Sequence, residues 1–223
     1  MIYVTGDLHG EIERFHAKPF KKLKKNDYLI VCGDFGFLWD GSKKEEKMLK
    51  WIGKRRYHVL FIEGTHDNLD LLHQYPVSEW NGAMVRTICG NLKHVCRGSI
   101  LHIDDRTIFL FGGGESTDIE GREMRWWEKE LPTRQEIDTA KQRLAGCNNT
   151  VDYIITHQSS YRIKQFLTEK DEEPHMLDIF FNELRETSQY RRWFFGSYHI
   201  NKCIPPKDMA LYDAVVPVEA EKV

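Results

Sequence analysis

Five short apolar runs in this chain each end in a polar cluster, and every cluster holds an aspartate or a histidine. Residues 2–5 run into Gly6-Asp7-Leu8-His9-Gly10 and 28–32 into Gly33-Asp34. Residues 58–62 lead through Glu63 to Gly64-Thr65-His66-Asp67-Asn68, 151–155 to Thr156-His157, and 193–195 to Gly196-Ser197-Tyr198-His199. The runs are rich in β-branched and aromatic residues and too short for helices, so they read as strands buried on both faces. In α/β sheets ligands bind in the crevice beyond the carboxyl ends of the strands, so these clusters converge if the strands are neighbours.

Between the runs lie amphipathic segments. Residues 43–56 carry Met48, Leu49, Trp51 and Ile52, and 175–186 carry Met176, Leu177, Phe180, Phe181 and Leu184, at helical spacing. Thr133 with Glu136 forms a capping box behind Pro132, Ile137, Ala140 and Leu144 follow on one face, and Gly146 marks the stop. Residues 100–103 and 107–111 flank the turn-like Asp104-Asp105-Arg106, which predicts a hairpin and antiparallel elements in an α/β fold. Gly112-Gly113-Gly114 lacks the Lys-Ser/Thr of a P-loop and reads as a tight strand exit.

With 41% hydrophobic residues the 223-residue chain has ample core material, and it is read as one domain, 1–223. The 32 basic residues against 34 acidic ones give no overall case for nucleic acid or an anionic membrane. Lys18, Lys21, Lys22, Lys24 and Lys25 read as a solvated helix face. Five cysteines form no Cys-x-x-Cys pair and fit neither a disulfide framework nor a thiolate zinc site. The amino terminus lacks a signal-peptide pattern and no run reaches membrane-spanning length, so a cytoplasmic protein is expected.

Carboxylates combined with imidazoles suit Mn, Fe, Zn and similar ions. Glycine permits the sharp turn that aims the next carboxylate of a Gly-Asp pair into a shared cavity, and an extended Asp-x-His places both side chains on one face. Each cluster alone is ordinary, since Gly-Asp is usually a turn and a lone histidine usually structural. Five in order at strand exits point to a metal centre.

The order and spacing of these clusters resemble the calcineurin-like metallophosphoesterase family, whose blocks read Asp-x-His, Gly-Asp, Gly-Asn-His-Asp/Glu, a strand-end histidine and Gly-His-x-His. Within it the chain is similar to small bacterial and phage enzymes in which Phe-Gly follows Gly-Asp, as in Asp34-Phe35-Gly36. The resemblance implies a four-layer α/β/β/α sandwich with mixed sheets and two divalent ions bridged by one carboxylate. Mn is expected, with Fe, Zn, Ni or Mg as alternatives. It implies Asp7, His9 and His199 as ligands of the first ion, Asp34 as the bridge, His157 on the second ion, His66 as general acid and Asp67 behind it, orienting the imidazole.

Two positions depart from the pattern. Thr65 stands at the family's asparagine ligand and Ser197 at the first histidine of its last block. Both belong to the second ion, which should bind more weakly, although hydroxyls can hold a hard ion through water. The implied activity is hydrolysis of a phosphomonoester or phosphodiester by a metal-activated hydroxide, on a small-molecule or nucleotide substrate or, with less support, nucleic acid. The alternative is an impaired relative that binds a phosphorylated ligand or a protein partner. Arg122, Arg125, Trp126 and Trp127 offer a phosphate and base contact or simply packing, and Asp40 and Asn68 lie near the motifs without an assignable place.

Overall fold

The computed structural model describes residues 1–115, 129–170 and 173–219, so Arg122, Arg125, Trp126 and Trp127 lie outside the described residues. All five strand-exit clusters fall at the ends of observed strands: β1 (Ile2–Thr5), β2 (Tyr28–Val31), β3 (His58–Phe61), β9 (Tyr153–Thr156) and β10 (Arg192–Phe195). Between β3 and β9 come β4 (Val77–Trp80), β5 (Ala83–Cys89), β6 (Leu92–Val95), β7 (Ser99–Ile103) and β8 (Arg106–Phe111), and β11 (Lys202–Ile204), β12 (Asp208–Ala210) and β13 (Val216–Pro217) close the chain.

These strands form two mixed sheets, ordered β13-β1-β2-β3-β6-β5-β4 and β11-β12-β10-β9-β8-β7. In the first, β1, β2, β3 and β6 run parallel, and Thr5, Val31 and Phe61 stand level at the strand ends. In the second, β8, β9, β10 and β12 run parallel, with Phe111, Thr156 and Phe195 level. The expected hairpin is β7–β8, with Ile103 opposite Arg106.

Alternation along each strand sorts the core into three layers. Ile30, Leu60, Ile108, Ile155 and Phe194 face the space between the sheets. Their neighbours Leu29, Val31, Val59 and Phe61 pack outward on Leu49 and Ile52 of the helix Lys43–Gly53. Phe109, Ile154, Trp193 and Phe195 pack on the helices Arg134–Gly146 and Met176–Thr187 through Ile137, Leu144, Phe181 and Leu184. The result is the four-layer α/β/β/α sandwich. Thr133 caps its helix through the expected capping box, and the helix begun by Ser42 stops at Gly53, three residues short of the sequence pattern. The lysine cluster flanks one helical turn, Lys18–Lys21, anchored by buried Phe20. No helix among the described residues is long and apolar enough to cross a membrane.

One buried charge network ties the first sheet to the chain beyond it. Glu63, two residues past β3, lies 2.6 Å from His94 Nε2 on β6 and accepts from Arg97 Nε. Arg97 also donates to the carbonyls of Lys129, Glu130 and Leu131. Gly112 gives the carboxylate room, because a Cβ there would sit 2.5 Å from Glu63 Oε2, and Gly113 donates its N–H to the Glu63 carbonyl at 2.8 Å. The glycine run is thus a close strand exit against Glu63. Burial opposes charge on His94, but Glu63 overturns that and raises its pKa from 6.5 to about 9. Charged His94 therefore stabilises the fold fully below its unfolded pKa near 6.5, and the contribution disappears as pH rises through about 9. Urea unfolding should lose on the order of 3 kcal/mol across that interval, and His94→Gln should flatten the loss. An alkaline slope unchanged in the variant would take His94 out of the network.

Candidate metal centre

The carboxyl ends of the two sheets meet at one place. Asp7, His9 and His199 form one group whose ligand atoms all lie within 4.8 Å of one another. Asp7, Asp34 and His157 form a second, fully buried one, and His9, Asp34 and His66 a third. His9 and His199 bring their Nε2 atoms to 2.9 Å, and His199 Nε2 lies 3.6 Å from Asp7. Every aspartate and histidine expected as a ligand is therefore in one cluster.

Backbone geometry aims these groups, and not in the way an extended Asp-x-His would. His9 is left-handed at φ 48°, and the N–H groups of Leu8 and His9 both donate to the Asp34 carbonyl, so the segment folds over β2's exit. Asp34, Ser197 and His199 are also left-handed, at φ 45°, 70° and 50°. Such non-glycine conformations cost on the order of 1–3 kcal/mol each and persist where surrounding contacts over-determine them. The glycines serve chiefly by close approach. A Cβ on Gly64 would sit 2.2 Å from Asp34 Oδ1, and one on Gly196 2.3 Å from Asp7 Oδ1.

The electrostatics fit a cation. Asp7 is wholly buried, and burial pushes its pKa up to about 7. Burial acts likewise on Asp34, but His157 and His66 overturn it and hold that carboxyl below the usual range. His157 donates Nδ1–H to the Cys32 carbonyl at 2.9 Å, and its Nε2 faces Asp34 Oδ1 at 3.6 Å. That Nε2 is buried without a hydrogen-bond partner. A buried polar atom left unpaired is costly, and a neutral imidazole fixed through its other nitrogen is the usual state of a metal-ligating histidine.

The remaining positions divide. Ser197 contributes its backbone N–H, which donates to both oxygens of Asp7 at 3.0 and 3.1 Å. Thr65 is buried, with its hydroxyl 3.3 Å from His66 Nδ1. His66 Nδ1 lies 2.9 Å from Asp34 Oδ2, and its backbone N–H donates to Asp34 Oδ1 at 2.7 Å. Asp67 does not orient His66 as expected. Its buried carboxylate accepts the N–H groups of Phe35, Gly36 and Gly64 at 3.3, 2.8 and 2.9 Å, fixing the two loops together. The His66 imidazole is held by Asp34 instead.

Arg14 is a supporting residue that sequence reasoning missed. It donates to the carbonyls of Asp7 and Tyr212 and to Thr5 Oγ1. Tyr212 in turn packs its ring 4.9 Å from that of His199. Nothing in the run Glu-Arg-Phe marks Arg14 out, because two of its partners are backbone carbonyls, which any residue presents.

The family model for calcineurin-like phosphoesterases matches residues 1–201. No curated protein matches. Among solved structures, a protein of unknown function from Aquifex aeolicus is similar at 17% identity, over 72% of this chain and 80% of its own, with a TM-score of 0.34.

Gly196→Ala puts a methyl group into the space of the Asp7 carboxylate. The folded variant should bind Mn at least about tenfold more weakly, the scale on which disturbed ligand support usually acts. Calorimetric titration at constant pH checks this, and unchanged affinity would mean that Asp7 tolerates displacement.

Proposed function

Because the chain belongs to the calcineurin-like phosphoesterase family, we propose that it hydrolyses phosphate esters at a two-ion centre built from Asp7, His9, Asp34, His157 and His199. The observation that carries this reading is the unpaired Nε2 of His157, buried beside two carboxylates that repel each other. Asp7, His9, Asp34 and His199 would hold the first ion. Asp34 and His157, with help from Thr65 and Ser197, would hold the second. Mn is the expected metal, with Fe, Zn, Ni or Mg as alternatives.

A divalent cation there would supply Lewis-acid polarisation of the ester and a nucleophile at neutral pH. The chain's own contribution is positioning. His66 is held through Nδ1 by Asp34, which leaves Nε2 as the nitrogen able to protonate the departing oxygen. Asp67 fixes the loop that carries it. Both sheets supply ligands, so they act as one catalytic unit. The substrate is a small-molecule or nucleotide phosphate ester, and five free thiols fit a reducing compartment such as the cytoplasm.

Purified protein with Mn should hydrolyse p-nitrophenyl phosphate or its bis-ester, and Asp34→Asn should lower that rate roughly 100-fold or more while reducing metal content. Full activity in the variant would sink the shared-carboxylate centre. No hydrolysis by the parent under Mn, Zn or Mg would favour the alternative, a cleft that binds a phosphorylated ligand.

The two departures give a sharper test. Thr65→Asn with Ser197→His should raise affinity for the second ion by roughly 10- to 100-fold. Histidine tolerates the left-handed backbone at 197 better than most residues. A folded double variant that binds the second ion no more tightly would refute the account of these positions.

A further inference from the structure

The loop after Asp34 carries a feature that ester cleavage leaves unused. Phe35, Phe37 and Leu38 are buried, but the chain then turns outward and Trp39 is 40% exposed. Its backbone is held from two sides. Glu45, buried in the first turn of the helix Lys43–Gly53, accepts the N–H groups of Trp39, Asp40 and Gly41 at 2.7, 2.9 and 2.8 Å. Asn68 donates Nδ2–H to the Trp39 carbonyl at 2.7 Å and its backbone N–H to the Leu38 carbonyl at 2.9 Å.

An exposed tryptophan alone means little. This one lines, with Gly36, Lys44 and Met48, a groove of about 470 Å³ that includes His9 and His66. That volume suits a small ligand. The groove therefore joins the metal centre to an indole on a clamped backbone, with the Met48 thioether, the Lys44 ammonium and the Asp40 carboxylate also in its lining.

We propose that this groove is the subsite for the organic group of the ester and that it takes a planar aromatic or heteroaromatic ring, as in an aryl phosphate or a nucleotide, stacked on Trp39. The proposal rests on the phosphoesterase reading of His9 and His66. An indole offers a broad π-face for stacking, and it has few side-chain torsions to freeze. The polarisable Met48 side chain suits a ring edge, and Lys44 and Asp40 supply a cation and an acceptor for polar substituents of the ring. Glu45 and Asn68 are positioning residues, since they hold the backbone at and beside Trp39.

The test compares phenylphosphonate with methylphosphonate, whose C–P bonds resist hydrolysis, by calorimetric binding to the Mn-loaded protein. The parent should prefer the phenyl compound. Trp39→Leu keeps apolar bulk without the π-face and should reduce that preference roughly 5- to 100-fold, while Trp39→Phe should retain most of it. Equal affinities in the parent, or an equal effect of Trp39→Leu on both compounds, would overturn the subsite. Hydrolysis of phenyl phosphate separates the two readings. A parent that binds phenylphosphonate through Trp39 but hydrolyses nothing retains the subsite and loses the hydrolase. Active protein without the phenyl preference does the reverse.

Discussion

Asp7 and Asp34 are buried within reach of each other at the meeting point of two sheets, and much of the local structure follows from holding them there. Two carboxylates in a water-poor interior repel, and neither can be solvated. The protein answers with one buried imidazole, His157, between them and with backbone N–H groups from Ser197 and His66 on their oxygens. The site is thus formed in advance and short of positive charge. Glycines at 64 and 196 are the geometric consequence, because a side chain at either position would occupy the space of a carboxylate oxygen.

Much of this was legible in the sequence. Strands buried on both faces read as unbroken apolar runs, and β1, β2, β3, β9 and β10 were each found within two residues of their observed bounds. The helix at Thr133 was legible because a capping box is a local device. What was missed is not local. β4 has Val77, Ser78 and Glu79 all exposed, so it shows no alternation, and β11 to β13 are too short to show any. The helix Tyr161–Thr168 sets Ile163 and Leu167 four apart against the core, but it buries no residue fully and is too short for that spacing to stand out.

The same division holds at the site. Asp and His ligands announce themselves because their chemistry is narrow and their place after a strand is fixed. Carboxylates that bind backbone amides do not, since any loop presents amides. Asp67 was therefore given the wrong neighbour, and Glu45 and Glu63 were given no task at all. Asp67 and Glu63 satisfy groups contributed by distant segments, a relation visible only once the strands are assembled, while Glu45 closes the loop just before its own helix.

Asp67 also helps explain why the left-handed residues endure. His9 and Asp34 are strained singly, but the loops that carry them are cross-tied: Leu8 and His9 donate to the Asp34 carbonyl, and Asp67 collects amides on either side of that segment. Relaxing one φ would strand several buried N–H groups, each with a penalty comparable to the strain itself. The strain is therefore stable, and it holds His9 and Asp34 where a divalent ion would need them. By contrast Ser197 holds the Asp7 carboxylate through its backbone N–H, a contact that does not depend on its side chain, so the sequence can vary there without disturbing Asp7.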